Sequence, residues 1–495
     1  MALLEEPIKG VKVVKNYING EWVESRGEIR DVVNPVNQQV IGKVPVSTRD
    51  EFDAAVQAAK AAFWEWRTTP PVARARYLFR LKELLEENFE EVSRIQTQEH
   101  GKTIDESRGE TRRGIENVEV GWGIPTLQQG PYLEDIAAGI DEYIVRTPLG
   151  VFGIIGLYNF PFMIPLWSAP YAVATGNCVV AKPSSEDPLS QTRIAELIEE
   201  AGFPEGVWNV VNGGRQVVST MLEHPDIKGV TFVGSTPTAK YIYEMGGKTG
   251  KRVIAQAGAK NFMVIMPDCN VPNTVAAMMT SFFGNTGHRC LAGANLLVVG
   301  DGDAFYDSFM ERVAGMASKI VIGYGLDEAV QMGPLRDTEK KAKVARYIDI
   351  GLQEGAKLML DGRDFQIRGN YPPDAYLGPS IFVDVKPEMR IAQEEIFGPV
   401  MSVLRAKTLD QAIEMCNAST FGNGHAVFTS SGKTAREFRY RVDSGNVGIN
   451  VGLVAPMAFF PFSGMKDSFF GTLHTQGQDA VRFFAETKVT IERWF

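Results

Sequence analysis

Apolar residues in the first quarter of the chain recur with the period of a helix. Phe52, Val56, Ala59, Phe63 and Trp66 fall at three- and four-residue steps and predict one buried helical face. Pro70-Pro71 ends that helix. Arg74 to Ile95 predicts a second amphipathic helix, and Ile104 to about Val120 a third with a polar face. Before them, residues 17–42 read as short strands and turns, with Asn19-Gly20 a hairpin signal.

From residue 149 the pattern changes to short, wholly apolar runs alternating with helical stretches. The runs are 149–157, 177–183, 207–213 and 227–234. The helices between them extend to about Ala174, then from Ser190 to Ala201 and over 215–222. Strands that are apolar throughout are covered on both faces, so this alternation predicts a parallel sheet flanked by helices. It restarts near residue 260, with runs at 263–268 and 295–300, a helix around 303–319 and further units to 445–450. The chain is therefore read as α/β, with two parallel-sheet domains of Rossmann type. The expected division is 1–127 with 148–258, then 259–452. Residues 128–147 and the aromatic-rich tail within 453–495 fit neither sheet. An apolar strand at a chain end needs a partner edge, on its own chain or on another subunit.

Composition narrows the function. The 495 residues are 44% hydrophobic and 22% charged, ample for a buried core. A net charge of −9 argues against a general nucleic-acid or polybasic membrane role. No apolar run approaches the roughly 20 residues of a bilayer span. The start, MALLEEPIKG, reads as neither signal nor transit peptide. Four cysteines are too few for a disulfide framework, so a reducing, cytoplasmic setting is expected. The five histidines are scattered and show no metal-ligand spacing.

Four segments could carry chemistry. Cys290 lies in a small-residue loop, FFGNTGHRCLAGANLLVV, where Gly284, Gly287 and Gly293 allow close backbone approach. His288 and Arg289 beside it could raise its thiolate fraction, whereas most intracellular cysteines are merely small buried hydrophobes. Cys178, in an apolar strand, reads as one of those. Asn159 ends a strand before a Pro-started helix; it reads either as an oxyanion donor or as a helix cap. Lys182 at a strand end and Ser235 at a helix start suit ribose or phosphate, although no G-x-G-x-x-G follows a strand. The run EEIFGPV, 394–400, is either a solvated loop or a ligand clamp.

In this order, NFP, KPS, FVGS, the Cys loop and EEIFGPV resemble the aldehyde dehydrogenase superfamily over nearly the whole chain. RRGIENVE (112–119), GAKN (258–261), GHRC (287–290) and APMAFFPFSGMKDSFFGTLH (455–474) are most similar to its CoA-acylating methylmalonate-semialdehyde branch. The resemblance implies NAD(P)-dependent oxidation of a semialdehyde through a thioester on Cys290, with the oxyanion held by Asn159 and the Cys290 N–H. It implies cofactor contacts from Lys182, Ser185, Ser235, Glu395 and Phe397. It implies that Arg113 and Arg289 bind the substrate carboxylate, that Phe462 lines the aldehyde pocket, and that dimers or tetramers form through 128–147 and the tail.

Hydrolytic relatives carry a Glu in E-L-G-G-K that activates water; here Gln256 stands in its place, within QAGAK. An amide is no base near pH 7, which favours transfer to CoA as co-substrate. The acyl groups expected, methylmalonyl or malonyl, lose CO2 to give propionyl-CoA or acetyl-CoA. A hydrolytic enzyme releasing a free acid, with Glu395 as base, is the alternative. Ser185 replaces a common Glu that accepts from the ribose 2′-hydroxyl, so NADP is admitted beside NAD, while Glu186 is close enough to swing in.

Overall fold

The computed structural model describes residues 5–495, so the first residues of the MALLEEPIKG segment lie outside it. The early helical periodicity forms Arg49–Thr68, Pro71–Glu87, Phe89–His100 and Ile104–Trp122. The single helix expected over 74–95 is two. Asn88 leaves the helical region (φ −104°, ψ 17°) and its side-chain amide donates to the Leu84 carbonyl at 2.8 Å. That local bond competes with continuation of the helix. Thr48 and Thr103 each begin a helix with a reciprocal capping box, through Glu51 and Glu106.

The alternating region builds two sheets. The first has eight strands, in the order Phe469–Gly471, Arg252–Gln256, Ile227–Val233, Val151–Ile155, Cys178–Lys182, Trp208–Val210, Asn16–Ile18 and Glu21–Val23. Its five central strands pair in parallel and its outer ones antiparallel. Among the parallel strands the chain starts at Val151–Ile155, proceeds to one side, then returns to add Ile227–Val233 on the other. The strand order thus reverses between these two neighbours, and a crevice opens beyond their carboxyl ends.

The second sheet has seven strands, in the order Lys357–Leu360, Ser380–Val383, Val400–Ala406, Gly293–Val299, Asn261–Ile265, Gly424–Phe428 and Asn446–Ile449. All pairs are parallel except that of the first strand. Here the reversal falls between Asn261–Ile265 and Gly424–Phe428.

Residues Tyr132–Ala137 and Ile140–Pro148 form a hairpin outside both sheets, and Ala485–Glu492 pairs antiparallel with Ile140–Pro148 over eight residues. The tail strand therefore finds its partner edge on its own chain. Phe469–Gly471, from the same C-terminal segment, joins the first sheet instead. Among the described residues no helix is long and apolar enough to cross a membrane, and no group of His, Cys, Asp or Glu side chains is arranged to hold a metal.

Candidate active site

Cys290 sits between the helix Val271–Phe283 and the strand Gly293–Val299, on a loop opened by three successive left-handed residues. Asn285 and Thr286 have φ near 50°, and Gly287 has φ 76°. A β-branched residue rarely adopts this conformation. It is held by Thr286 Oγ1 donating to the Gly333 carbonyl at 2.9 Å and by the Asn285 N–H donating to Glu106. Gly287 is required twice over, since a Cβ there would stand 2.3 Å from the Gly398 backbone. Asn261 and Asn423 then fix the Cys290 carbonyl with donated bonds of 2.8 and 3.0 Å. Among the described residues the Cys290 N–H has no carbonyl or side-chain oxygen as partner, which leaves it free for a ligand.

Asn159 follows the carboxyl end of Val151–Ile155. Its amide caps no helix. It donates to the His288 carbonyl at 3.0 Å, across the crevice and two residues from the nucleophile. The second amide hydrogen faces Cys290, whose thiol it helps to lower. The site's only partly exposed sulfur is nevertheless pushed up to about 12, first by burial and then by the Glu395 carboxylate.

The expected activation by His288 and Arg289 is not found. His288 is buried, stacked 5.4 Å from the Phe397 ring, and lowered to about 3 chiefly by burial, so it is neutral. Arg289 turns away to Glu106 (3.2 Å) and the Thr280 carbonyl (3.2 Å). Alkylation follows the thiolate. For the enzyme without ligands we therefore predict a rate of Cys290 alkylation by iodoacetamide that climbs about tenfold per pH unit from pH 7 to 10. A plateau near pH 8 would contradict this environment.

Both arginines reach one pocket of about 360 Å³, which also contains Cys290, Phe462, Trp167 and Gln476. Arg113 is half-buried, pairs with Glu116 at 3.0 Å and touches Met457. Phe462 is buried, with its ring 4.5 Å from that of Trp167. Its carbonyl accepts the Gln256 amide at 2.6 Å, while Gln256 Oε1 is buried without a partner. No sequence pattern marked Glu106 or Glu116 as partners of the arginines, because both pass for ordinary helix surface.

The remaining predicted residues lie at or after strand ends of the first sheet and on the loop before Val400–Ala406. Lys182 is buried. Its amine donates to the Pro183 (2.7 Å) and Gly213 (3.0 Å) carbonyls and is lowered to about 8, mainly by burial. Ser185 donates to the same Gly213 carbonyl at 3.1 Å. Glu186, expected to swing in beside it, is instead paired with Lys340 at 2.9 Å. Ser235 precedes the helix Thr236–Lys248 without capping it; its hydroxyl meets that of Thr238. The first N–H groups of that helix therefore remain open toward a cleft of about 1060 Å³ shared with Glu395. Glu395 accepts the Ala259 N–H at 2.8 Å, and burial raises its carboxyl above the ordinary range. Gly258 lets it come close, since a Cβ there would meet Glu395 Oε2 at 3.0 Å. Phe397, at φ 59°, stacks on His288 and lines a smaller pocket with Glu395 and Cys290. A helix start with open N–H groups facing a carboxylate across one cleft, with a buried amine at a strand end of the same sheet, fits a dinucleotide.

Residues 22–490 match the aldehyde dehydrogenase family. The chain is 46% identical over 487 residues to malonate-semialdehyde dehydrogenase 2 of Geobacillus kaustophilus (strain HTA426), covering 98% of this chain and 99% of that one. Among solved structures, methylmalonate-semialdehyde dehydrogenase from Oceanimonas doudoroffii superposes with a TM-score of 0.95 at 40% identity, with 98% of each chain covered. A Sinorhizobium meliloti 1021 protein assigned to methylmalonate-semialdehyde dehydrogenase and complexed with NAD also has a TM-score of 0.95, at 39% identity and 98% coverage of each chain.

Proposed function

This chain belongs to the aldehyde dehydrogenase family, and from that premise we propose that it oxidises malonate or methylmalonate semialdehyde and transfers the acyl group to CoA. The observation that carries this reading is the pocket that joins Cys290 to two guanidinium groups, Arg113 and Arg289. A short aldehyde bearing a carboxylate would place its acid on the arginine fork and its carbonyl at the sulfur.

Cys290 Sγ attacks the aldehyde carbon. The charge that develops on oxygen is met by the second Asn159 amide hydrogen and the free Cys290 N–H, donors already fixed before the reaction. Bound NAD would accept the hydride released as the thioester forms, and the NAD-complexed neighbour supports its binding here. Lys182 and Glu395 would hold its riboses, the helix start at Ser235 its phosphates, and Phe397 would flank it. Ser185 puts no carboxylate at the 2′ position, so NADP is not repelled. Gln256 cannot activate water, and its amide is engaged with the Phe462 carbonyl. A thiol such as that of CoA ionises to a useful extent unaided and can take the acyl group. The β-carboxylate of the malonyl or methylmalonyl thioester permits loss of CO2, with a proton taking its place on the α-carbon, so that the product is acetyl-CoA or propionyl-CoA.

On this reading residues 1–127 with 148–258 form the cofactor domain, whose sheet also takes in Phe469–Gly471, 259–452 form the catalytic domain, and 128–147 with the strand Ala485–Glu492 form the element through which dimers or tetramers assemble. Leu133, Ile136, Val489 and Ile491 leave apolar surface exposed on that element's sheet, in keeping with burial against another copy. All four cysteines are free, in keeping with the cytoplasm.

The test is reduction of NAD, and then NADP, by malonate semialdehyde with and without CoA, with product analysis. We expect turnover to require CoA and to yield acetyl-CoA and CO2. Equal turnover without CoA, giving a free acid, would sink the acyl-transfer reading. In the same assay Gln256→Glu should raise CoA-independent acid release by on the order of 10², the contribution of a placed general base.

A further inference from the structure

Lys102 and Glu110 form an ion pair at 2.5 Å with both side chains wholly buried. Neither is the nucleophile, one of the two arginines or part of the dinucleotide cleft, although Glu110 lines the pocket that holds Cys290 and both arginines. Burying both charges is costly, and such pairs are weak contributors to stability, so their use must lie in what else they bind. Lys102 Nζ donates to the backbone carbonyl of Asn159 at 2.7 Å and lies 4.5 Å from the centre of the Phe160 ring. Glu110 Oε1 accepts the N–H groups of Phe162 (2.9 Å) and Met163 (3.1 Å), where the short helix Met163–Leu166 begins. Every bond the pair makes outside itself falls on the turn from Asn159 to Met163. Gly114, one helical turn past Glu110, brings the helix Ile104–Trp122 against that turn; a Cβ there would stand 2.4 Å from the Phe162 ring.

From this we infer that Lys102 and Glu110 are positioning residues for the Asn159 amide: the pair clamps the backbone at the Asn159 carbonyl and along the turn that follows it, so that its side chain spans the crevice to the His288 carbonyl with one hydrogen left for the oxyanion. The inference rests on the reading of Asn159 as an oxyanion donor. Without the clamp the strand end and the turn can shift relative to the Cys290 loop, and a displacement of about an ångström can cost on the order of 10² in rate.

The experiment is a double-mutant cycle. Single-turnover formation of reduced cofactor from malonate semialdehyde is measured for the full-length protein and for Lys102→Met, Asn159→Ala and the double variant, with dinucleotide affinity titrated for each. Asn159→Ala should slow the step by about 10²–10³. Lys102→Met should slow it by at least about tenfold with dinucleotide affinity unchanged, and the double variant should match Asn159→Ala within about threefold, because the clamp acts through that amide. Equal slowing by Lys102→Met in both backgrounds would overturn the proposal, as would a wild-type rate for Lys102→Met. An unslowed Asn159→Ala would instead overturn the oxyanion reading itself. If Lys102→Met does not fold, Glu110→Gln replaces it in the cycle. It keeps the acceptor for Phe162 and Met163 and removes the ionic partner of Lys102, and the same non-additivity is expected.

Discussion

Cys290→Ala is expected to abolish reduced-cofactor formation from malonate semialdehyde, with a loss on the order of 10⁶ as for deletion of other covalent nucleophiles. The substitution is small and local. The bonds from Asn261 and Asn423 go to the Cys290 backbone carbonyl and survive it, so the loop should keep its shape. Cys178 and Cys416 are buried in strand and helix, and Cys269 lies outside the crevice, so no other thiol can substitute. The measurement is single-turnover cofactor reduction alongside dinucleotide titration and thermal unfolding. Unchanged cofactor affinity and melting with no reduction is the expected outcome. Retention of even one per cent of the wild-type rate would rule out a thioester on Cys290 as the obligatory intermediate.

The second large effect is expected from Arg289→Leu. This guanidinium is mostly buried beside Glu106, and it lines the same pocket as the sulfur. If it grips the substrate acid, its loss removes charge-assisted bonds and leaves Glu106 without a countercharge. We expect kcat/KM for malonate semialdehyde to fall by about 10³, or about 4 kcal/mol. For propionaldehyde, which has no carboxylate, the fall should be tenfold or less. The informative quantity is the ratio of the two losses. Equal losses would mean that Arg289 serves the shape of the Cys290 loop, not recognition of the substrate acid. Arg113→Leu should show the same selectivity at smaller size, since its side chain is 36% exposed and solvent screens what it contributes.

Arg289 and His288 also show how an expectation from residue order can fail in mechanism. Adjacency in sequence suggested that Arg289 and His288 would lower the thiol. Folding sends Arg289 toward Glu106 and buries His288 as a neutral ring against Phe397, so proximity along the chain did not become proximity of charge. In the protein without ligands, burial and the Glu395 carboxylate therefore hold this thiol up, and its neighbours in the GHRC run do not offset them.

Much of the architecture was legible because it depends on local pattern. Continuous apolar runs specify strands covered on both faces, and three- and four-residue spacing specifies a helix face; neither needs knowledge of the partner. Cys290, Asn159, Lys182, Ser235 and Glu395 stood out as candidates in the same way, because strand ends and small-residue loops are where a parallel sheet exposes backbone to a ligand. What the residues could not announce is contact across distance. Lys102 precedes a capping box and Glu110 sits in a polar helix, so both pass for solvated surface until the fold closes water out around them. Glu106 and Glu116 hide in the same way. The tail strand posed an open choice between its own chain and another, because a strand's need for an edge says nothing of which edge; the eight-residue pairing with Ile140–Pro148 decided it. Sequence by itself determined which elements form and which groups of this chain are chemically able to react. Only the tertiary structure decided which charges meet, because pairing and burial are set by where the chain returns in space, and burial is what turns an ordinary lysine and glutamate into a clamp.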